Sequence, residues 1–170
     1  MVRNDDFFLR KWVNYYGSEL GKENLYVYFD GKDQVVPDFC QGVNTTVCER
    51  APGQVAASDR NRINFLSNEA KKLFDRYDMV IGTDVDEFFS VDPILNIPLA
   101  TFLSSLPPQK TYSGLGIDIG QNLNFEDDID PQRPFLSQRR YALLSTRYTK
   151  TSVITEPLSW GSGFHRVRNS

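Results

Sequence analysis

The sequence predicts an α/β domain with a mostly parallel central sheet flanked by helices. Three observations predict it. Short apolar runs alternate with stretches of helical periodicity through the first half of the chain, the pattern of strand–helix–strand units. The run Met79-Val80-Ile81 is apolar throughout and bounded by charge and glycine, as a strand buried on both faces would be. This run and an earlier one, Leu25 to Phe29, both lead into acids, and open α/β sheets take ligands beyond the carboxyl ends of their strands. The 170 residues suit one domain, 1–170, with a sizeable core.

Taken in order, Met1 and Val2 read as the end of a strand that is barely long enough, which suggests a natural chain extending upstream. Asp5 or Asp6 caps a helix whose stripe is Phe8, Leu9, Trp12, Val13 and Tyr16 and which Gly17 or Gly21 ends. Leu25 to Phe29 is a second strand, closed by the turn Asp30-Gly31-Lys32-Asp33. A short strand follows near Thr45 to Cys48, and Pro52-Gly53 breaks the chain. Ser58 or Asp59 caps the next helix, with Ile63, Leu66, Ala70, Leu73, Phe74 and Tyr77 along one face. That helix feeds the central strand at Met79. Beyond it, Leu99, Phe102, Leu103 and Leu106 mark a helix stopped by Pro107-Pro108. Tyr112 to Ile119, Tyr141 to Tyr148 and Thr151 to Thr155 read as β structure, with an acidic loop from Asn124 to Pro131 between the first two.

Composition excludes several classes. Hydrophobic content of 40% and charged content of 24% are ordinary for a globular chain. No apolar run approaches the roughly 20 residues of a membrane span, and the opening Met1 to Asp6 does not read as a signal peptide. Cys40 and Cys48 form no Cys-x-x-Cys pair and read as free thiols in a reducing compartment. No basic run interleaved with aromatics suggests a nucleic-acid groove, and no Gly-x-x-x-x-Gly-Lys-Ser/Thr loop marks a P-loop enzyme. Charge is segregated along the chain. From Asp75 to Asp130 eleven acids stand against Arg76 and Lys110, a net of −9. From Arg133 to Ser170 seven bases stand against Glu156, a net of +6. Such halves either neutralise one another or set a metal-binding acidic edge against a phosphate-binding basic one.

The chemistry centres on Asp84-Val85-Asp86 at the end of the central run. Residues two apart on an extended chain point the same way, so both carboxylates can converge on one ligand. Two acids together repel unless a cation joins them, and hard oxygen ligands suit Mg2+ or Mn2+, which in turn hold phosphate oxygens. The chain's single histidine, His165, sits in the glycine-rich stretch Trp160 to Arg166 and is the candidate third ligand. Asp30 and Asp33 either bind a nucleoside or only build their turn.

These residues together resemble the GT-A glycosyltransferases, in particular the family-2-like bacterial group with an Asp-Val-Asp-Glu-Phe motif. The resemblance rests on Val2-Arg3-Asn4-Asp5 with Trp12 to Tyr16, on Tyr77 to Phe88, on Ser137 to Tyr141 with Lys150, and on Pro157 to His165, and so covers nearly the whole chain. It implies a single GT-A, Rossmann-like domain that binds a nucleotide-sugar donor. Arg3, Asn4, Asp30, Asp84, Arg139, Arg140 and Lys150 would contact that donor. Asp84, Asp86 and His165 would hold Mn2+ or Mg2+. One of Asp118, Glu126 and Asp127 would be the general base. Asp5 departs from the group's usual Glu, and the chain stops soon after His165, where relatives continue, so a version shortened at the C-terminus is expected.

The expected activity is transfer of a sugar from a nucleotide diphosphate to a hydroxyl of a glycan or lipid-linked acceptor, with inversion. The expected place is the cytoplasm, at the periphery of the inner membrane where the acceptor is lipid-linked. Two other readings compete: a metal-dependent nucleotidyl or phosphoryl transferase using the same acids, and a non-catalytic nucleotide- or carbohydrate-binding domain.

Overall fold

The computed structural model describes residues 1–50 and 55–168. The predicted break at Pro52-Gly53 lies outside the described residues. Helix α1 spans Asp6–Leu20. The Asp5 carboxylate accepts the Phe8 N–H at 3.1 Å, which satisfies one of the donors that a helix start leaves open. Gly21, at φ 85, ends the helix and returns its N–H to the Gly17 carbonyl at 3.1 Å, a conformation that costs little only without a Cβ. The predicted stripe is the buried face: Leu9, Val13 and Tyr16 are each at most 1% exposed.

Strand β1 (Tyr26–Asp30) pairs in parallel with β2 (Asn44–Cys48), and Val2 adds one parallel bridge to Phe29 on the other edge of β1. Val2, Leu9, Val13, Val27, Phe29 and Cys40 pack together, so α1 covers one face of this small sheet. Helix α2 (Val55–Leu73) carries Ile63, Leu66, Ala70 and Leu73 into a second cluster. Ser58 and Asp59, predicted as its caps, lie within the helix.

The mostly parallel central sheet is not found, and the chain is not a Rossmann-like GT-A domain. Among the described residues the only parallel sheet is the two-stranded β1–β2. The run predicted as the central strand contributes β3 (Val80–Ile81), which pairs antiparallel with β7 (Val153–Ile154); β4 (Thr111–Tyr112) lies on the other side of β7. The physical reason is the choice of partner. An apolar run is satisfied by any strand that buries it, and the fully buried Val153 and Ile154 do so without a crossover helix. The edge of β1 beyond Val2 and the far edge of β3 are not joined. Between them lies a cavity of about 640 Å³, lined by Tyr26 and Tyr28 on one side, Val80 and Ile81 on the other, with Trp12 of α1 and Leu66 of α2 above and below.

Other predicted strands also shorten. Tyr112 to Ile119 is not one strand but β4 and, in a separate sheet, β5 (Ile117–Gly120). Only Tyr141–Leu144 of the predicted 141–148 stretch is extended; it is β6 and pairs antiparallel with β5. This hairpin stands away from the cores: Ile117, Leu143 and Leu144 are more than half exposed. Helix α3 (Leu99–Ser105) buries Leu99 and Leu103 against Tyr16 of α1 and Val153 of β7. Near the C-terminus β8 (Ser159–Trp160) pairs with β9 (Val167–Arg168), and the turn between them buries Phe164 beside Trp160. No described helix is long and apolar enough to cross a membrane.

Candidate functional site

The site forms where β3 ends. Gly82 continues the ladder, donating its N–H to the Ser152 carbonyl at 2.8 Å. It must be glycine for packing: a Cβ here would stand 2.6 Å from the Phe164 ring and 3.0 Å from Trp160. Thr83 then accepts the Trp12 indole N–H at 2.9 Å. The loop that follows is fastened by α1 from one side. The Tyr16 hydroxyl accepts the Phe89 N–H at 2.6 Å and donates to the Glu87 carbonyl at 3.3 Å, and the Tyr15 hydroxyl donates to the Phe89 carbonyl at 3.0 Å. Burial pushes the Tyr16 phenol far up, so it stays a protonated donor.

Asp84 is the centre of a chain of alternating charge. Its Oδ1 accepts Arg62 of α2 at 2.7 Å, and its Oδ2 accepts Lys150 at 3.3 Å. Arg62 also donates to Asp59 at 2.9 Å, and Lys150 also bonds Glu87, whose Oε2 accepts the Asp84 N–H at 3.3 Å. The Lys150 side chain is only 8% exposed, against 24% for Asp84 and 23% for Glu87. Burial alone would raise the Asp84 carboxyl, but Arg62 and then Lys150 outweigh it and hold the group below its ordinary value. Burial likewise works against the Lys150 ammonium, and Glu87 followed by Asp84 carries it above its ordinary value. Asp84 and Lys150 are therefore charged at neutral pH.

A second polar cluster closes the end of β1. Arg3 donates to the Asp30 carbonyl at 2.6 Å and forks onto Asp33 at 2.9 and 2.6 Å. Hydrogen bonding from Arg3 draws the Asp33 carboxyl down to about 2. Asn4, in the left-handed region at φ 53, exchanges two hydrogen bonds with the Gln34 amide at 2.9 and 2.8 Å. The Met1 end lies within electrostatic reach of Arg62, Asp84 and Asp30, so the two strand ends share one side of the molecule.

The predicted residues are thus brought together unevenly. Asp84 and Lys150 meet. Arg3, Asn4 and Asp30 meet at the neighbouring strand end, where Arg3 and Asn4 are occupied by side chains of the turn. Asp86 is exposed and bonds no described residue, and His165 is exposed in the turn after β8. Asp118, Glu126, Asp127, Arg139 and Arg140 all lie on the β5–β6 arm. Glu126 accepts the N–H groups of Asn122 at 2.8 Å and Arg140 at 2.6 Å, which lowers its carboxyl, so it staples the arm's loop. Arg139 donates to the Asp127 and Gln138 carbonyls at 3.1 and 2.8 Å. Asp118 is exposed on β5.

Sequence reasoning missed Arg62 and Glu87 as members of the site. The signal for Arg62 was a base three residues after Asp59 and directly before the apolar stripe of α2, a spacing that sets an ion pair at the edge of a buried face. Among the described residues no group of three or more His, Cys, Asp or Glu is placed to hold a metal ion. Both oxygens of Asp84 are already committed to cations, so Asp84, Asp86 and His165 as they stand do not fit Mn2+ or Mg2+. Compared with protein-family models, with characterised proteins and with solved structures, the chain matches none.

Proposed function

We propose that the chain is a glycosyltransferase that takes a sugar from a nucleotide diphosphate donor and passes it to a hydroxyl acceptor. The observation that carries this reading is the convergence of Arg62 and Lys150 on the Asp84 carboxylate, at a strand end, beside Asp86, which bonds no described residue. A diphosphate would take the place of the Asp84 carboxylate between these two cations, and a guanidinium fork suits phosphate oxygens. In the transfer step negative charge grows on the departing diphosphate, and fixed cations in a partly buried site stabilise it. A carboxylate takes the acceptor proton. Glu126 is spent on backbone N–H groups, which leaves Asp118 and Asp127 of the three candidates. The site does not fit a metal, so no step is routed through one. The acceptor, a glycan or lipid-linked hydroxyl, is part of the same proposal.

The test is thermal unfolding with UDP, GDP and their sugars, each with and without Mn2+, followed by product analysis. A ligand at about 100 times its dissociation constant adds ~2.7 kcal/mol, which for a chain of this size raises the melting point by roughly 5–11 °C. The reading expects such a rise with one nucleotide, its loss in Arg62→Gln, and release of nucleoside diphosphate with a glycosylated acceptor. Pyrophosphate or a phosphorylated product would instead identify a nucleotidyl or phosphoryl transferase. Binding without turnover would identify a binding domain. No rise with any nucleotide sinks the proposal.

A further inference from the structure

The β5–β6 arm is a ribbon of two strands. Such a ribbon alone is marginally stable in water, and three or more strands with an apolar face are needed for a sheet that stands by itself. More than half of the large apolar side chains that the described residues leave exposed stand on this arm, between Leu115 and Tyr148. The two edges of the ribbon can be told apart. Ser145 N–H bonds the carbonyl of Gly116, directly opposite, at 3.1 Å. By alternation, Asp118 with Leu143 and Gly120 with Tyr141 are the pairs that exchange backbone hydrogen bonds. Ile117 and Ile119 then turn their N–H and C=O groups to the free edge of β5, and Ala142 and Leu144 turn theirs to the free edge of β6. None of these groups bonds a described residue. All four residues of β6 are exposed, and none is charged or a proline, the residues that ordinarily keep an edge strand from pairing.

We infer that the edge of β6 is a self-association surface: β6 of a second copy pairs with it antiparallel, about a two-fold axis at Leu143, and closes a four-stranded sheet. An axis at this residue is the one that lets both Ala142 and Leu144 exchange hydrogen bonds with the other copy. It sets Ala142 opposite the second copy's Leu144 and Leu144 opposite its Ala142, a small side chain against a large one in both places. Ile117 already lies beside Leu144, and Ile119 beside Ala142. One face of the joined sheet therefore reads Ile117, Leu144, Ala142, Ile119 across its four strands, with no polar interruption. On the other face Leu143, 66% exposed, meets its own copy. The edge of β5 refuses the corresponding pairing, because its axis would run through Asp118 and set two like charges directly opposite. The β6 edge is thus its own complement, which makes a second copy the occupant. Water satisfies the edge groups of the single chain, so the apolar side chains drive the pairing and the hydrogen bonds fix its register. Arg139, Arg140 and Arg147 flank β6 in both copies, so the ends of the ladder repel and salt tightens the pair. The inference stands independently of the proposed transferase activity.

The test is sedimentation velocity on the intact chain, at low and high salt and up to about 200 μM protein, since an interface of this small size is weak. A dimer is expected, tighter at high salt. Leu143→Lys sets two ammonium groups opposite one another and removes two leucines, and is expected to raise the dissociation constant at least about a hundredfold. Its melting temperature, read at a concentration where both proteins are monomers, should match the parent's, because Leu143 is exposed. Leu143→Cys reads the register. Residues opposite one another in a pair without hydrogen bonds lie about 4.5 Å apart at Cα, within reach of a disulfide. With Cys48 replaced by serine, mild oxidation should link Leu143→Cys as a dimer and leave Ile117→Cys, on the far edge, unlinked. A chain that stays monomeric under all these conditions overturns the inference. So does a dimer that Leu143→Lys leaves intact, or equal linking of the two cysteine variants, because the contact then lies elsewhere.

Discussion

Replacing Lys150 by methionine keeps most of the side chain's stem and deletes its charge. In the folded protein this removes the ammonium that joins Asp84 to Glu87 and leaves two carboxylates facing one another, each about a quarter exposed. Breaking a fully buried pair costs ~3–5 kcal/mol. Water reaches these acids in part, and Arg62 still holds Asp84, so the expected loss is about 3 kcal/mol, at the lower end of that range. A kilocalorie shifts the melting point of a chain this size by roughly 2–4 °C, which gives a fall of about 9 °C. Urea unfolding with an unchanged slope is the assay, since a changed slope would signal a different unfolded or native state. Removing the stranded acid as well, in Lys150→Met with Glu87→Gln, is expected to recover about 1–2 kcal/mol, because the uncompensated charge is then gone. The pH limbs follow from the shifts. The Asp84 contribution is present above its ordinary 3.8 and lost as pH falls through the lower folded value. The Lys150 contribution is present below its ordinary 10.5 and lost as pH rises through the higher folded value, so the methionine variant lacks that alkaline loss. A fall under about 1 kcal/mol, or a double variant no better than the single, would refute the claim that this ion chain is partly desolvated and coupled.

Four further outcomes are expected. Ser67→Ala removes a buried hydroxyl that accepts the Trp160 N–H at 2.9 Å and donates to the Ile63 carbonyl at 2.8 Å; the orphaned donor should cost ~1–3 kcal/mol in urea unfolding. Gly82→Ala drives a methyl into Phe164 and Trp160 and should cost ~1–3 kcal/mol by the same assay. Carbon-detected NMR titration should place the Asp33 carboxyl near 2 in the parent and back toward 3.8 in Arg3→Gln; the stabilisation from this pair is present above 3.8 and lost as pH falls through about 2. A thiol reagent should modify Cys48 before Cys40, since Cys40 is 3% exposed and Cys48 half-buried, while burial raises both thiols.

Local signals carried α1, β1 and α3, because each is written in a few neighbouring residues: Asp5 and Gly21 at the ends of α1, the apolar stripe between them, and the prolines after Leu106. Pairing was not legible. Nothing near Val80 says that its partner is Ile154 and not Tyr28, since both bury an apolar strand equally well and the choice is made by chain connections far away. The same holds for the site. Asp84 could be read from the strand that ends in it, and Lys150 entered only through the resemblance. Arg62 stands on a helix whose stripe explained its neighbours completely, so its reach to Asp84 is a property of tertiary packing. The arm from Ile117 to Leu144 collected the candidate bases because acids in sequence proximity staple their own loop, as Glu126 does.

The four hydrogen bonds that Trp12, Tyr15 and Tyr16 of α1 make to residues 83–89 have an entropic consequence. Ordering a residue's backbone costs ~1–2 kcal/mol, and folding has already met that cost for this loop. A ligand that meets Asp84 and Asp86 finds the backbone around them set, so its affinity is not reduced by a disorder-to-order transition there. Calorimetry should then show a heat-capacity change set by the ligand's own apolar area.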